Sequence, residues 1–244
     1  MEFHFKTFEL LGIKPRVSRE AVVALDVAEA RMGRALPAAV REWYSQEGAY
    51  ELLSRYSNDD PPIGITEFGI TVRQIGGPDP AKQDLLAFRH ENQAMCVWAV
   101  LLDGSDDPPV VVDVDSRFHT WMSCGVTFSE HLHAWMWDFA LVLQNDLLLQ
   151  AQNEPLSDAA LQLVRQHFDA GPSTLGWPGR AQYRFSRDGQ RILIWANDDQ
   201  SDWFLAADTK EGLRALLSTV REWDHLGDTF VANSAEIEML DVDD

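Results

Sequence analysis

Ala94 to Leu102 is an unbroken run of nine apolar residues, and it constrains how this chain folds more than any other stretch. In a strand, successive side chains face opposite sides. Met95, Val97, Ala99 and Leu101 then line one face, and Cys96, Trp98, Val100 and Leu102 the other. Both faces are apolar, so the strand is expected to be covered on both sides. A buried helix is the competing reading, but the run is short for one. Asp103-Gly104-Ser105-Asp106-Asp107 supplies turn chemistry after it. Pro108-Pro109 follow, and Val110-Val111-Val112 is a β-branched run suited to a second strand. The stretch predicts a central hairpin with a wide acidic connection.

Around this hairpin the signals alternate between helix and strand. Phe3, Phe5, Phe8, Leu10 and Leu11 open the chain in an aromatic segment, helical or extended, that should pack on the main body. Ser18 caps a predicted helix that Gly33 ends. Pro37 starts a second helix, with Val40, Trp43 and Tyr44 on its buried stripe and Gly48 stopping it. Ala49 to Arg55 adds a turn. Ser57 to Pro62 and Gly76 to Pro80 read as loops, with a short strand possible within Ile63 to Ile75. Trp121-Met122 leads to a turn at Gly125. Thr127 with Glu130 forms a capping-box pattern, and the stripe Phe128, Leu132, Trp135, Phe139 and Val142 carries a helix toward Gln150. A boundary is expected at Asn153 to Ser157. Beyond it lie a helix at Ala159 to Phe168 and strands at Tyr183 to Phe185 and Arg191 to Trp195. Asp188-Gly189 joins these two strands in a hairpin. An acidic turn, Asn197 to Asp202, precedes a third strand, Trp203 to Ala207. Thr209 caps a helix from Lys210 to Trp223, and an acidic tail runs from Glu236 to Asp244.

The charge balance narrows the function. The chain has 244 residues, with 39 acidic against 20 basic side chains and a net charge of −19. Such a surface repels phosphate backbones and anionic membranes, which argues against nucleic-acid or membrane docking. It attracts basic partners instead, although acidity can also serve solubility alone. Two cysteines, Cys96 and Cys124, make neither a disulfide framework nor a zinc site. The opening residues lack a basic, apolar leader pattern, and no run reaches the ~18 apolar residues of a membrane span. A reducing, cytoplasmic location is the expectation.

A set of short motifs occurs in a particular order. A helix leads into Leu36-Pro37. Val40-Arg41-Glu42-Trp43-Tyr44 follows, with Gly48 after it, and then Glu91-Asn92-Gln93. Next come Trp98, the Asp107-Pro108-Pro109-Val110 turn into a strand, and the Phe128-Ser129 helix start. Over Ala24 to Leu143 the chain resembles the SUKH superfamily of bacterial immunity proteins and fungal cell-wall-assembly regulators. The resemblance implies an α+β fold with a mixed, largely antiparallel sheet flanked by helices. It implies no catalysis and no cofactor, but partner binding, which in many bacterial members is neutralisation of a toxin. Residues 1–152 are the expected SUKH-like domain. Residues 153–244 form a C-terminal α+β extension of helix, three-stranded β-meander, helix and acidic tail, possible as a separate domain or packed on the same core.

No nucleophile elbow, phosphate loop or dinucleotide fingerprint is present. His131 and His133 lie beside Glu130, but helix residues two apart do not share a face, so no metal is expected there. The aspartates of the hairpin loop lack a calcium-loop pattern. Glu91-Asn92-Gln93 fits either satisfaction of backbone groups at a sheet end or a recognition groove. The expected function is non-catalytic binding of a protein partner, a basic toxin domain such as a nuclease. Asp59, Asp60, Asp103, Asp106, Asp107, Asp198, Asp199 and Asp202, all in predicted loops, are the candidate steering residues. A scaffold or regulatory protein of the same family without a toxin, and an unrecognised hydrolase, are the alternatives.

Overall fold

The computed structural model describes residues 1–69, 84–93, 95–114, 120–223 and 231–232. It is an α+β protein in which the described strands pair antiparallel in two sheets. The chain divides into two compact units, Met1–Trp135 and Met136–Asp244.

The first unit opens with α1 (Phe5–Leu10), α2 (Arg19–Met32), α3 (Ala38–Tyr44) and α4 (Ala49–Arg55). The Ser18 hydroxyl accepts from the Ala21 N–H, and Gly33 closes α2 in the left-handed region, as their residue types predict. The α2 chain turns back at Gly33 because a residue without Cβ adopts φ 70° at no steric cost. A sheet follows in the order β1 (Leu85–His90), β2 (Val97–Leu101), β3 (Pro109–Asp113) and β4 (Trp121–Thr127). α5 (Phe128–Trp137) runs on from β4.

Val97–Leu101 of the apolar run forms the strand expected there, whereas Met95 ahead of it is 51% exposed and Ala94 lies outside the described residues. Val97, Trp98, Ala99 and Val100 are all fully buried, so β2 is covered on both faces. Val97 and Val100 each contribute about 1.5–3 kcal/mol by burial. Trp43, Phe8, Phe68, Phe88, Phe128, Leu25 and Leu53 are also buried in this unit.

The second unit is built on a sheet ordered β11-β5-β10-β9-β8-β6. Its strands are β5 (Leu148–Asn153), β6 (Asp169–Ala170), β7 (Thr174–Leu175), β8 (Ala181–Arg187), β9 (Gln190–Ala196), β10 (Ser201–Ala207) and β11 (Val231–Ala232), with β7 paired to β8. α6 (Asp158–His167) and α7 (Lys210–Trp223) complete its core. Val164, Leu213, Leu216 and Val220 from these helices join Ile192, Ile194, Trp203 and Leu205 from the sheet in one cluster. The β8–β9 hairpin turns at Asp188-Gly189, with φ of 48° and 77°. A Cβ on Gly189 would lie 2.7 Å from the Asp208 carboxylate, which would have to turn aside, but it is the positive φ that favours glycine here. The Thr209 hydroxyl accepts from the Gly212 N–H and caps α7.

Several expectations are corrected. Leu148-Gln150 does not extend the helix. After α5 the chain makes a π-helical turn, Asp138–Leu143. The Asn145 side chain then accepts the Leu147 N–H, and the chain enters β5, whose backbone bonds go to β10. β5 thus belongs to the sheet of the second compact unit, Met136–Asp244. Leu85–His90 is a strand that went unassigned, and Gly125 lies within β4 at φ 73° rather than in a turn between elements. Asp202 belongs to strand β10, paired to Gln152 and Trp195, not to a loop. The expected Gly76–Pro80 loop, most of the Ile63–Ile75 segment and the Glu236–Asp244 tail lie outside the described residues.

Candidate functional site

The structure places the eight candidate aspartates in three kinds of environment. Asp59, Asp103, Asp106, Asp198 and Asp199 are exposed. The Asp103 carboxylate accepts from both the hydroxyl and N–H of Ser105, which holds it below the usual carboxylate range. Asp198 pairs with the guanidinium of Arg180 at the surface.

Asp107 is half-buried and works internally. Its carboxylate accepts the Ser129 N–H at 3.0 Å and the Ser129 hydroxyl at 2.6 Å, so the hairpin loop caps α5 from outside the helix. Half of the expected capping box forms: the Glu130 carboxylate accepts the Thr127 N–H at 3.0 Å, while the Thr127 hydroxyl donates to Glu130 instead of accepting from the helix. Asp202 is half-buried on its strand and accepts from the Gln152 amide at 3.4 Å. Asp60 is only 4% exposed and is withdrawn from the surface. Burial raises its carboxyl above the ordinary value, opposed by the charge of Arg89 and by the Asn92 N–H at 3.0 Å. It does lie in the expected loop, but the backbone of Ile63 bonds to Phe88 and that of Pro61 to His90, which draws Asp60 inward.

Asp60 brings into view a residue the sequence did not single out. β1 carries a bulge: Ala87 faces Ala99 and Arg89 faces Trp98, so two residues oppose one. The extra residue, Phe88, shifts the alternation and puts Arg89 on the same sheet face as Trp98. The Arg89 guanidinium is fully buried, 4.0 Å from the centre of the Trp98 ring and 3.1 Å from that of Trp135 on α5. Its three nitrogens have no hydrogen-bond partner among the described residues. Burial lowers its pKa to about 10, against the opposing pull of Asp60. Burial likewise pushes the Cys124 thiol up to about 12 and raises Cys96, so both thiols are poor nucleophiles at neutral pH.

Glu91 resolves one open alternative. It is 8% exposed, and one carboxylate oxygen accepts the N–H groups of Gln93 and Met95. It satisfies backbone groups at the mouth of β2. His131 is buried beside the rings of Phe88 and Trp135, while His133 is half-exposed. No group of three or more His, Cys, Asp or Glu among the described residues is placed to hold a metal ion. No described helix is long and apolar enough to cross a membrane.

The first unit also holds an open cavity of about 440 Å³ between the start of α2, the α3–α4 corner and the 3-10 turn Ile65–Glu67. Gly48, at φ 74°, makes that corner. Tyr44, Tyr50, Glu47, Glu51 and Glu67 stand among its walls. No local pattern announces it, because its walls come from separate helices and a turn. Compared with known proteins, the chain matches no family model, no curated protein and no solved structure.

Proposed function

We propose that this chain is a non-catalytic binding module of SUKH type, an immunity protein that neutralises a basic toxin domain, with a nuclease as the natural candidate. The observation that carries the reading is the charge. The net charge is −19, and Asp59, Asp103, Asp106, Asp198 and Asp199 sit exposed at turns. Fixed carboxylates of this kind raise the encounter rate with a cationic partner, and the gain fades as salt screens it. Asp60 and Asp107 are excluded from this role because their carboxylates are engaged inside the fold.

The test has two steps. Toxin-like reading frames adjacent to the gene are expressed, and the purified chain is titrated into each product. A stoichiometric complex that abolishes the product's activity supports the reading. Replacement of the five exposed aspartates by asparagine should then lower the association rate about tenfold at low salt and little at high salt. An unchanged rate at low salt would overturn the steering role. Turnover of a substrate by the chain itself, lost on mutation of one named residue, would overturn the reading altogether.

A further inference from the structure

We infer that the cavity between α2, α4 and the 3-10 turn seats the cationic side chain, lysine or arginine, of a protein partner. This rests on the binding-module reading and names the contact through which it would act.

Three observations converge on that occupant. The first is charge: Glu47, Glu51 and Glu67 line the cavity, and none of its lining residues among the described ones is basic. Arg16 reaches Glu47 from outside at 3.5 Å, with both side chains more than half exposed, so this pair neutralises little. Glu67 accepts the Gly64 N–H, while Glu51 has no hydrogen bond or ion pair among the described residues. A concave wall carrying one sign of charge concentrates its field within the concavity.

The second observation is shape. A volume of about 440 Å³ falls in the range of ligand-sized clefts, roughly 300–1,000 Å³. Two of the walls are aromatic. Tyr44 is buried, whereas Tyr50 is 45% exposed, which leaves aromatic surface within reach of a cation. The carboxylates do not converge closely enough to hold a metal ion. An ammonium or guanidinium group carries several donors on a long stem and can address carboxylates that one ion cannot bridge.

The third observation is the rim. Val17, next to the cavity-lining Ser18, is 61% exposed, and Val27, one turn along α2 from Ala24, is 59% exposed. Apolar side chains beside an acidic cavity suit a partner that presents a basic anchor flanked by apolar residues. Free solvated cations gain nothing from such a rim.

The experiment uses the full chain labelled for amide NMR and three probes: the acetylated methylamides of lysine, of arginine and of uncharged norleucine. The cationic probes should give saturable shifts at Gly48, Tyr50, Glu51 and Gly64, and norleucine should leave them unmoved. Glu51→Gln with Glu67→Gln should weaken the cationic probes at least tenfold. The glutamine at 67 keeps an acceptor for Gly64, and an unchanged melting profile confirms the fold. Equal shifts with norleucine, or cationic shifts no stronger at the cavity than at Asp103 and Asp198, would overturn the inference. If the toxin complex forms and responds to the five loop aspartates while the cavity ignores lysine, only the cavity assignment falls. If no adjacent product is bound or inhibited, the binding reading falls whatever the probes show.

Discussion

Among the described residues each unit buries one arginine, and the two are held in opposite ways. In the second unit Arg184 is 3% exposed and grips Asp138 with two parallel bonds, Nε to Oδ1 at 2.7 Å and Nη2 to Oδ2 at 2.6 Å. Its remaining nitrogen donates to the Pro172 carbonyl and the Thr174 hydroxyl. In the first unit Arg89 lies between the rings of Trp98 and Trp135, with no hydrogen bond among the described residues. Arg184 is fixed by directional bonds that match its fork, whereas Arg89 is fixed by shape and by the negative faces of two indoles. The lesson is that burial of a charge does not by itself say what holds it. A paired ion is costly to break, and a stacked one is costly only by the stacking it loses.

The largest expected effect tests the paired side. Arg184→Met leaves Asp138 without its bidentate partner and should cost about 3–5 kcal/mol in urea unfolding. Arg89→Met should cost less, about 2 kcal/mol or below, because the lost ring contacts are offset by removal of a desolvated cation. If Arg89→Met proves the more damaging, the contrast between the two arginines is broken.

The next test separates two carboxyls of the first unit by the sign of their pH dependence. Asp60 is raised by burial, so its contribution is complete below its unfolded pKa and is lost as pH rises through the folded value. Burial also acts to raise Glu42, but three N–H donors, from Glu2, His4 and Phe3, outweigh it and hold the carboxyl low. Its contribution is complete above the unfolded pKa and is lost as pH falls through the folded value. Asp60→Asn should therefore gain stability relative to the parent as pH rises from acid to neutral, and Glu42→Gln should lose it. Unfolding curves at a series of pH values check both, and slopes of the same sign would refute the pair. The smallest effect is at the surface. Asp103→Asn and Asp199→Asn should each change stability by less than about 0.5 kcal/mol.

Local chemistry made part of this fold legible. Ser18, Gly33 and Thr209 mark helix ends through bonds a single residue type can make, and Asp188-Gly189 specifies its turn by backbone conformation. The apolar run announced β2 because both its faces had to be buried. β1 was hidden because its bulge breaks the two-residue period, and β5 because its leucines continue a helical spacing. Of the candidate site, exposed aspartates were legible as turn residues. The inward turn of Asp60 and the walls of the cavity depend on which distant segments meet, and no local pattern encodes that.

The bulge at Phe88 also makes the first unit sensitive to strand register at one position. Were the ladder to run on without it, Phe88 would stand opposite Trp98 and Arg89 opposite Val97, on the other side of the sheet. A one-residue slip at this point would therefore relocate a full positive charge, so that pairing register and buried charge are tied together in β1.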